Sequence, residues 1–142
     1  MKALTIWQPW IWAIMHAGKR LENRGWYCGH RGPILLHAAK RYEPEEILNT
    51  MRTIIPLGRK AGLEMPSVTL RQLQASCGYL LATANVVDCI RPGGAVPEGQ
   101  AGWYTGSYAL VLDDVKPLGM PIFYRGQQGL FDVPSSALGV QP

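Results

Sequence analysis

Apolar positions in this chain fall into short runs separated by glycine- and proline-rich joints. Ala3 to Ile6 is a brief apolar run that predicts a first strand. Pro9 can then occupy the first turn of a helix, where its missing N–H costs little. Trp10 to Ala17 continues that helix, with Trp10, Ile14 and Ala17 at helical spacing and therefore predicted to face the core. Gly18 suits the left-handed residue that ends it. Leu21 to Tyr27 and Ile34 to Ala39 predict two strands, the second fully buried, joined as a hairpin through the turn chemistry of Cys28-Gly29-His30-Arg31-Gly32-Pro33.

The middle of the chain changes period. Pro44-Glu45-Glu46 places acidic residues where a helix start favours them, so Glu45 to Thr53 is predicted helical. Ile55-Pro56-Leu57-Gly58 through Pro66 reads as a connection, and Thr69 to Gln74 as a short second helix. Gly78 to Ile90 predicts a central strand, Arg91 to Gly102 a loop, and Tyr108 to Asp113, Ile122 to Tyr124 and Leu130 to Val133 further strands, with Gly126-Gln127-Gln128-Gly129 as a turn. Strands outnumber helices, and no strand-helix alternation suggests a doubly wound parallel sheet. The predicted class is α+β: a small twisted β-barrel flanked by two or three helices.

A length of 142 residues, 47% of them hydrophobic, suits one domain over 1–142 with a single core. The formal charge of +4 is compatible with nucleic acid without demanding it. Cys28, Cys77 and Cys89 form no Cys-x-x-Cys pair, which argues against a disulfide framework and suits a reducing cytoplasm. The apolar run after Lys2 is broken by Gln8-Pro9 and ends at His16 and Lys19-Arg20, unlike a secretion signal. No segment offers the roughly 18 uninterrupted apolar residues of a membrane span. Cys28-x-His30 with His37 provides one close ligand pair where a structural zinc site has two, so no metal is expected; no cofactor motif is present either.

Candidate chemistry concentrates in Gly18-Lys19-Arg20-Leu21-Glu22-Asn23-Arg24. On an extended segment Glu22 and Arg24 share a face, with Lys19 at the preceding turn. Trp7-Gln8-Pro9-Trp10 can set aromatic planes and a carboxamide beside these charges, a combination suited to a planar polar ligand. The plain alternative is a solvated, ion-paired surface, which is common and weak. Lys19 has two possible roles. Desolvation beside the tryptophans would make it a candidate base, whereas stabilisation by Glu22 would make it a fixed cation for a phosphate or carbonyl oxygen.

Trp103, Tyr104 and Ser107 lie at a loop-to-strand junction where side chains can close over a ligand, while Trp10 and Tyr108 fall inside regular elements and are expected in the core. His37, at the end of an apolar strand, is read first as a hydrogen-bonded structural histidine and second as a ligand-contacting group. Asp113-Asp114 and Glu45-Glu46 read as solvated acids at element ends. Gly126 to Gly129 is a turn whose amides could also meet a phosphate, and Lys40-Arg41 and Arg59-Lys60 could widen a positive surface.

Trp7-Gln8-Pro9-Trp10, Gly18-Lys19-x-x-Glu22-Asn23-Arg24, Tyr27 and Arg31 to Lys40 together resemble the opening of an ASCH domain. The resemblance continues in order through Gly78 to Ala84, Val87-Asp88-Cys89, Tyr108 to Leu112 and Gly126 to Phe131. It implies a PUA-like fold, with the Trp103 segment beside the cleft. The first functional expectation is an RNA-binding or modified-nucleoside-binding cleft. Trp7, Gln8, Pro9, Trp10, Arg24, His37, Trp103, Tyr104 and Ser107 are its candidate ligand-binding residues.

An enzyme of the same fold is the second expectation, either an N4-acetylcytidine-type amidohydrolase or a ribonuclease, with Lys19 and Glu22 as candidate catalytic residues. Lys19 matches the lysine of such amidohydrolases, whereas Glu22 stands where they carry a threonine nucleophile. Glu22 could still position a water while Lys19 stabilises the developing oxyanion. A protein-binding adaptor in transcription or translation regulation is the third expectation, since ASCH domains also occur in coactivators.

Overall fold

A computed structural model describes residues 1–139, so the last three residues of the expected 1–142 domain lie outside the described residues. Its regular elements are β1 (Lys2–Ile6), α1 (Trp10–His16), β2 (Leu21–Arg24), β3 (Gly32–Ala38), α2 (Pro44–Lys60), α3 (Leu70–Ser76), β4 (Tyr79–Ile90), β5 (Tyr108–Phe123) and β6 (Leu130–Asp132). Single 3-10 turns occupy Ala101–Trp103 and Ser135–Leu138.

The strands form one six-stranded sheet in the order β2-β5-β4-β3-β1-β6. Only β1 and β3 run parallel; the other neighbours are antiparallel. Three register shifts between β4 and β5, and one between β3 and β4, each add local bend and twist. The long strands therefore curl, but β2 and β6 remain edges, and the α+β barrel is a half-barrel accompanied by three helices.

Period-two alternation divides β1 and β3 between two cores. Leu4, Ile6, Ile34, Leu36 and Ala38 pack in one cluster with Ile11 and Ile14 of α1, while Ala3 and Leu35 face a second with Leu80, Phe131 and Val133. Burial on both faces explains why the β3 run is almost wholly apolar. A third cluster joins α1, α2 and α3 through Trp12, Ala17, Ile47, Ile54 and Leu73.

Several expectations change once the strands find partners. The predicted hairpin between the second and third strands does not form: β2 pairs with β5, and β3 lies between β1 and β4. β2 stops at Arg24 rather than Tyr27 because its partner begins at Tyr108, opposite Arg24. The two predicted strands at Tyr108 and Ile122 are one, β5, kept in the sheet by β4 along its length. Asp113 and Asp114 therefore lie inside a strand rather than at an element end. Asp114 has φ +50°, and it falls where the register against β4 shifts.

α2 runs through Pro56 to Lys60, although this stretch reads as a connection. Ile47, Ile54 and Gly58 are buried along one side, and a Cβ at Gly58 would stand 3.3 Å from Ala17 Cβ. This close helix contact offsets the broken backbone bond at Pro56, whose i−4 partner Arg52 is exposed and can be solvated. α3 begins at Thr69 with a complete capping box, Thr69 accepting from the Gln72 amide and Gln72 from the Thr69 amide.

Candidate functional site

The cleft begins with the turn between α1 and β2. Gly18 adopts φ +79°, ending the helix as its sequence suggests. The next residues are pinned from two directions. Gln100 Oε1 accepts from the Arg20 amide at 2.8 Å, and its Nε2 donates to Gly18 O at 3.0 Å. Arg20 Nη1 donates to Ile14 O at 2.7 Å and Lys19 O at 3.0 Å. Arg20 thus caps the end of α1 instead of adding charge to the cleft; burial lowers its pKa, opposed by Asp113.

With the turn fixed, Lys19 enters the interior and is 2% exposed. Its Nζ donates to Leu21 O and to Glu22 Oε1, the latter at 3.2 Å, and lies 5.5 Å from the Trp10 ring centre. Arg24 approaches the other carboxylate oxygen, Nη2 to Glu22 Oε2, at 3.0 Å. One buried carboxylate therefore holds two cations, and the formal charge of the trio is +1. Arg24 Nε is buried without a partner among the described residues.

These groups line a cleft of about 450 Å³ with Thr5, Ile6, Trp7, Trp10, Asn23, Thr53 and residues 102–105. Glu22 is the only acid among its lining residues. A guest there meets the unspent donors of Lys19 and Arg24 between aromatic walls, which suits a flat group carrying electron-rich oxygen atoms. Trp7 is 50% exposed and available at the rim. Trp10, expected in the core, is half-buried: it packs against the core clusters and also lines the cleft beside Lys19. Tyr108 is likewise half-buried, edge-on to Tyr27 at 6.4 Å, outside the cleft.

Of the candidate residues, Lys19, Glu22, Arg24, Trp7, Trp10, Trp103 and Tyr104 come together around the cleft, whereas Gln8, Pro9, His37 and Ser107 do not line it. Gln8 is buried and its carboxamide is spent on structure: Oε1 accepts from the Trp12 amide at 3.0 Å and Nε2 donates to Ser76 Oγ at 2.9 Å. The Gln8-Pro9 bond is cis, and Pro9 precedes α1, its carbonyl accepting from the Ala13 amide. Ser107 Oγ donates to Arg24 O at 3.1 Å, bracing β2.

His37 is 1% exposed; Nε2 donates to Tyr124 O at 2.6 Å, leaving Nδ1 to accept from Thr5 Oγ1 at 3.1 Å. Both ring nitrogens are thus hydrogen-bonded within the fold, and the ring lines a second cavity behind Thr5 instead of the cleft.

Three positions outside the candidate residues also shape the cleft. Asn23 Nδ2 donates to Trp103 O at 2.9 Å and Oδ1 accepts from the Thr105 amide at 3.2 Å, clamping the aromatic loop onto β2. Gln100 pins the lysine turn from eighty residues away. Thr5 supplies the carbonyl that receives Arg24 Nη2 at 2.6 Å. Asn23 was visible inside the Glu22-Asn23-Arg24 run; Gln100 and Thr5 carried no signal, since their roles arise from contacts distant in sequence.

A family model described as ASCH domain matches residues 4–116. Activating signal cointegrator 1 from Homo sapiens is 31% identical over 88 residues, and its Mus musculus counterpart is equally similar. Each match covers 61% of this chain but only 14% of the relative. Among the described residues, no helix is long and apolar enough to cross a membrane.

Proposed function

The chain belongs to the ASCH domain family, and we propose that its cleft binds a nucleobase of RNA or of a modified nucleoside. The observation that carries this reading is the trio at the cleft floor: Glu22 holds Lys19 at 3.2 Å and Arg24 at 3.0 Å, with Trp10 beside the lysine. Lys19 and Arg24 would donate to a base carbonyl or phosphate, and an aromatic wall would stack the ring. Glu22 acts first as the holder of the two cations; its remaining lone pairs would accept from an exocyclic amine. All three cysteines are free, which supports work in a reducing cytoplasm.

Hydrolysis is the second reading, favoured by the direct contact of Lys19 and Glu22 in a cleft large enough for a nucleoside. Glu22 would orient a water toward an acyl carbonyl or phosphodiester, and Lys19 would stabilise the negative charge that develops on oxygen. An adaptor role, the third reading, draws only on the cointegrator relatives, of whose length the match covers 14%.

The test is mass spectrometry of N4-acylated cytidines and short RNAs incubated with wild type and Lys19→Ala, paired with affinity measurements on the same panel. Lys19-dependent capture of intact compounds supports binding. Product from wild type alone establishes hydrolysis. Neither capture nor turnover would overturn both readings.

A further inference from the structure

A second cavity, of about 700 Å³, shares Thr5 with the cleft and contains no carboxylate among its lining residues. It sits where Ala38 at the end of β3, Gly78 before β4 and Tyr124 after β5 are joined, Gly78 N donating to Ala38 O and Tyr124 N to Gly78 O. Lys40 and Arg125 stand in its walls, both exposed and, among the described residues, without an ion-pair partner. Gln127 and Gln128 bring two carboxamides to the same space, and Phe123 forms an aromatic lip that is 70% exposed.

The wall bearing Arg125 is fixed. His37 Nε2 donates to Tyr124 O, and a Cβ at Gly126 would stand 2.8 Å from both His37 Cε1 and Thr5 Oγ1. Residues 124–126 therefore lie directly on the Thr5 and His37 pair, which separates them from the cleft. Lys40 is followed in the chain by Arg41, whose guanidinium lies 4.0 Å over the ring of Trp7 and 2.5 Å from Glu46. Trp7 is itself a wall of the cleft. The two cavities thus adjoin at Thr5, and the stack of Arg41 on Trp7 ties the chain beside Lys40 to a wall of the cleft.

We propose that the second cavity receives the phosphate-linked neighbour of the nucleotide held in the cleft, so that the ligand is a single-stranded oligonucleotide and not a free nucleoside. This rests on the proposed cleft function. Lys40 and Arg125 neutralise backbone phosphates, the glutamines supply hydrogen bonds of either polarity, and Phe123 offers a surface for stacking.

The experiment titrates a single-stranded RNA of about eight nucleotides, within the usual site size of such grooves, against wild type at several salt concentrations. Three variants accompany it: Lys40→Ala/Arg125→Ala, Lys19→Ala, and Arg71→Ala/Lys116→Ala, whose exposed side chains line neither cavity. The first variant alters exposed side chains and is expected to fold normally, which its thermal unfolding curve checks. Loss of two phosphate contacts is expected to lower RNA affinity about tenfold and flatten the log K against log salt slope by about 1.4, with Arg71→Ala/Lys116→Ala unchanged. An unaltered slope and affinity in Lys40→Ala/Arg125→Ala, alongside lost binding in Lys19→Ala, would overturn the second subsite and leave the cleft reading standing. Wild type that binds no RNA at any salt concentration would overturn this proposal, and binding by Lys19→Ala equal to wild type would overturn the cleft reading and this proposal with it.

Discussion

Arg24 Nη2 donates to the carbonyl oxygen of Thr5 at 2.6 Å, joining β2, one edge of the open sheet, to β1 near the other. β6 pairs only with Lys2 to Leu4, so the Thr5 carbonyl lies beyond its end and receives an arginine instead of a strand. The opening of the half-barrel and the cationic cleft are therefore one feature. Arg24 supports the frame and also presents charge to whatever enters.

Arg24→Lys is expected to keep the charge but lose the planar guanidinium, in which Nη2 alone holds both Glu22 and Thr5 and Nη1 is left to donate to a ligand. A hydrogen bond to a charged group contributes about 1.5–3 kcal/mol, so ligand affinity should fall by at least about tenfold. Calorimetric titration of the RNA that wild type binds checks this; equal affinity would mean that Arg24 is only structural.

Glu22→Gln should move stability and binding in opposite directions. Removing the charge that faces Lys19 and Arg24 leaves buried cations unbalanced and is expected to cost on the order of 3 kcal/mol in urea unfolding. The cleft becomes more positive, so affinity for an anionic ligand that has no exocyclic amine for Glu22 to accept from should rise in the fraction that remains folded. A fall in both quantities would point to a direct contact from Glu22 to the ligand.

Gln100→Ala removes both amide contacts to the Gly18 to Arg20 turn. The expected loss is about 1–2 kcal/mol, with faster hydrogen exchange at the Arg20 amide and weaker ligand binding through a misplaced Lys19. Exchange rates equal to wild type would show that Arg20, by capping α1, holds the turn alone.

Burial pushes the His16 imidazole below its ordinary value, the ring packing 5.4 Å from Trp12. The unfolded chain then binds the proton more readily than the folded one, so stability is fully present above about pH 6.5 and declines as pH falls toward the folded-state value. Thermal unfolding across that window should show the decline in wild type and a smaller one in His16→Gln. Identical pH dependence in the two proteins would remove His16 from the account.

The cleft was partly legible in residue order because its central groups are close in sequence. Lys19, Glu22 and Arg24 lie within one turn and one short strand, and strand alternation alone places Glu22 and Arg24 on a common face. Trp7 and Trp10 follow from the same local logic at the start of α1. His37 and Gln8 show the limit of that logic: each is polar and near the motif, yet local pattern does not reveal that Tyr124 and Ser76 satisfy them from elsewhere in the chain.

By itself the sequence determined where most strands and helices begin, the buried run of β3, the glycine that ends α1, and the charged trio, since all depend on interactions within a few residues. Tertiary structure decided the rest. It paired β2 with β5 instead of β3, carried α2 through Pro56 by packing Gly58 against Ala17, merged two apparent strands into β5, and joined Thr5 and Gln100 to the site. Each of these depends on which backbone donors and apolar faces meet across long separations. Such partners are chosen by the packing of the whole chain, and no local spacing records them.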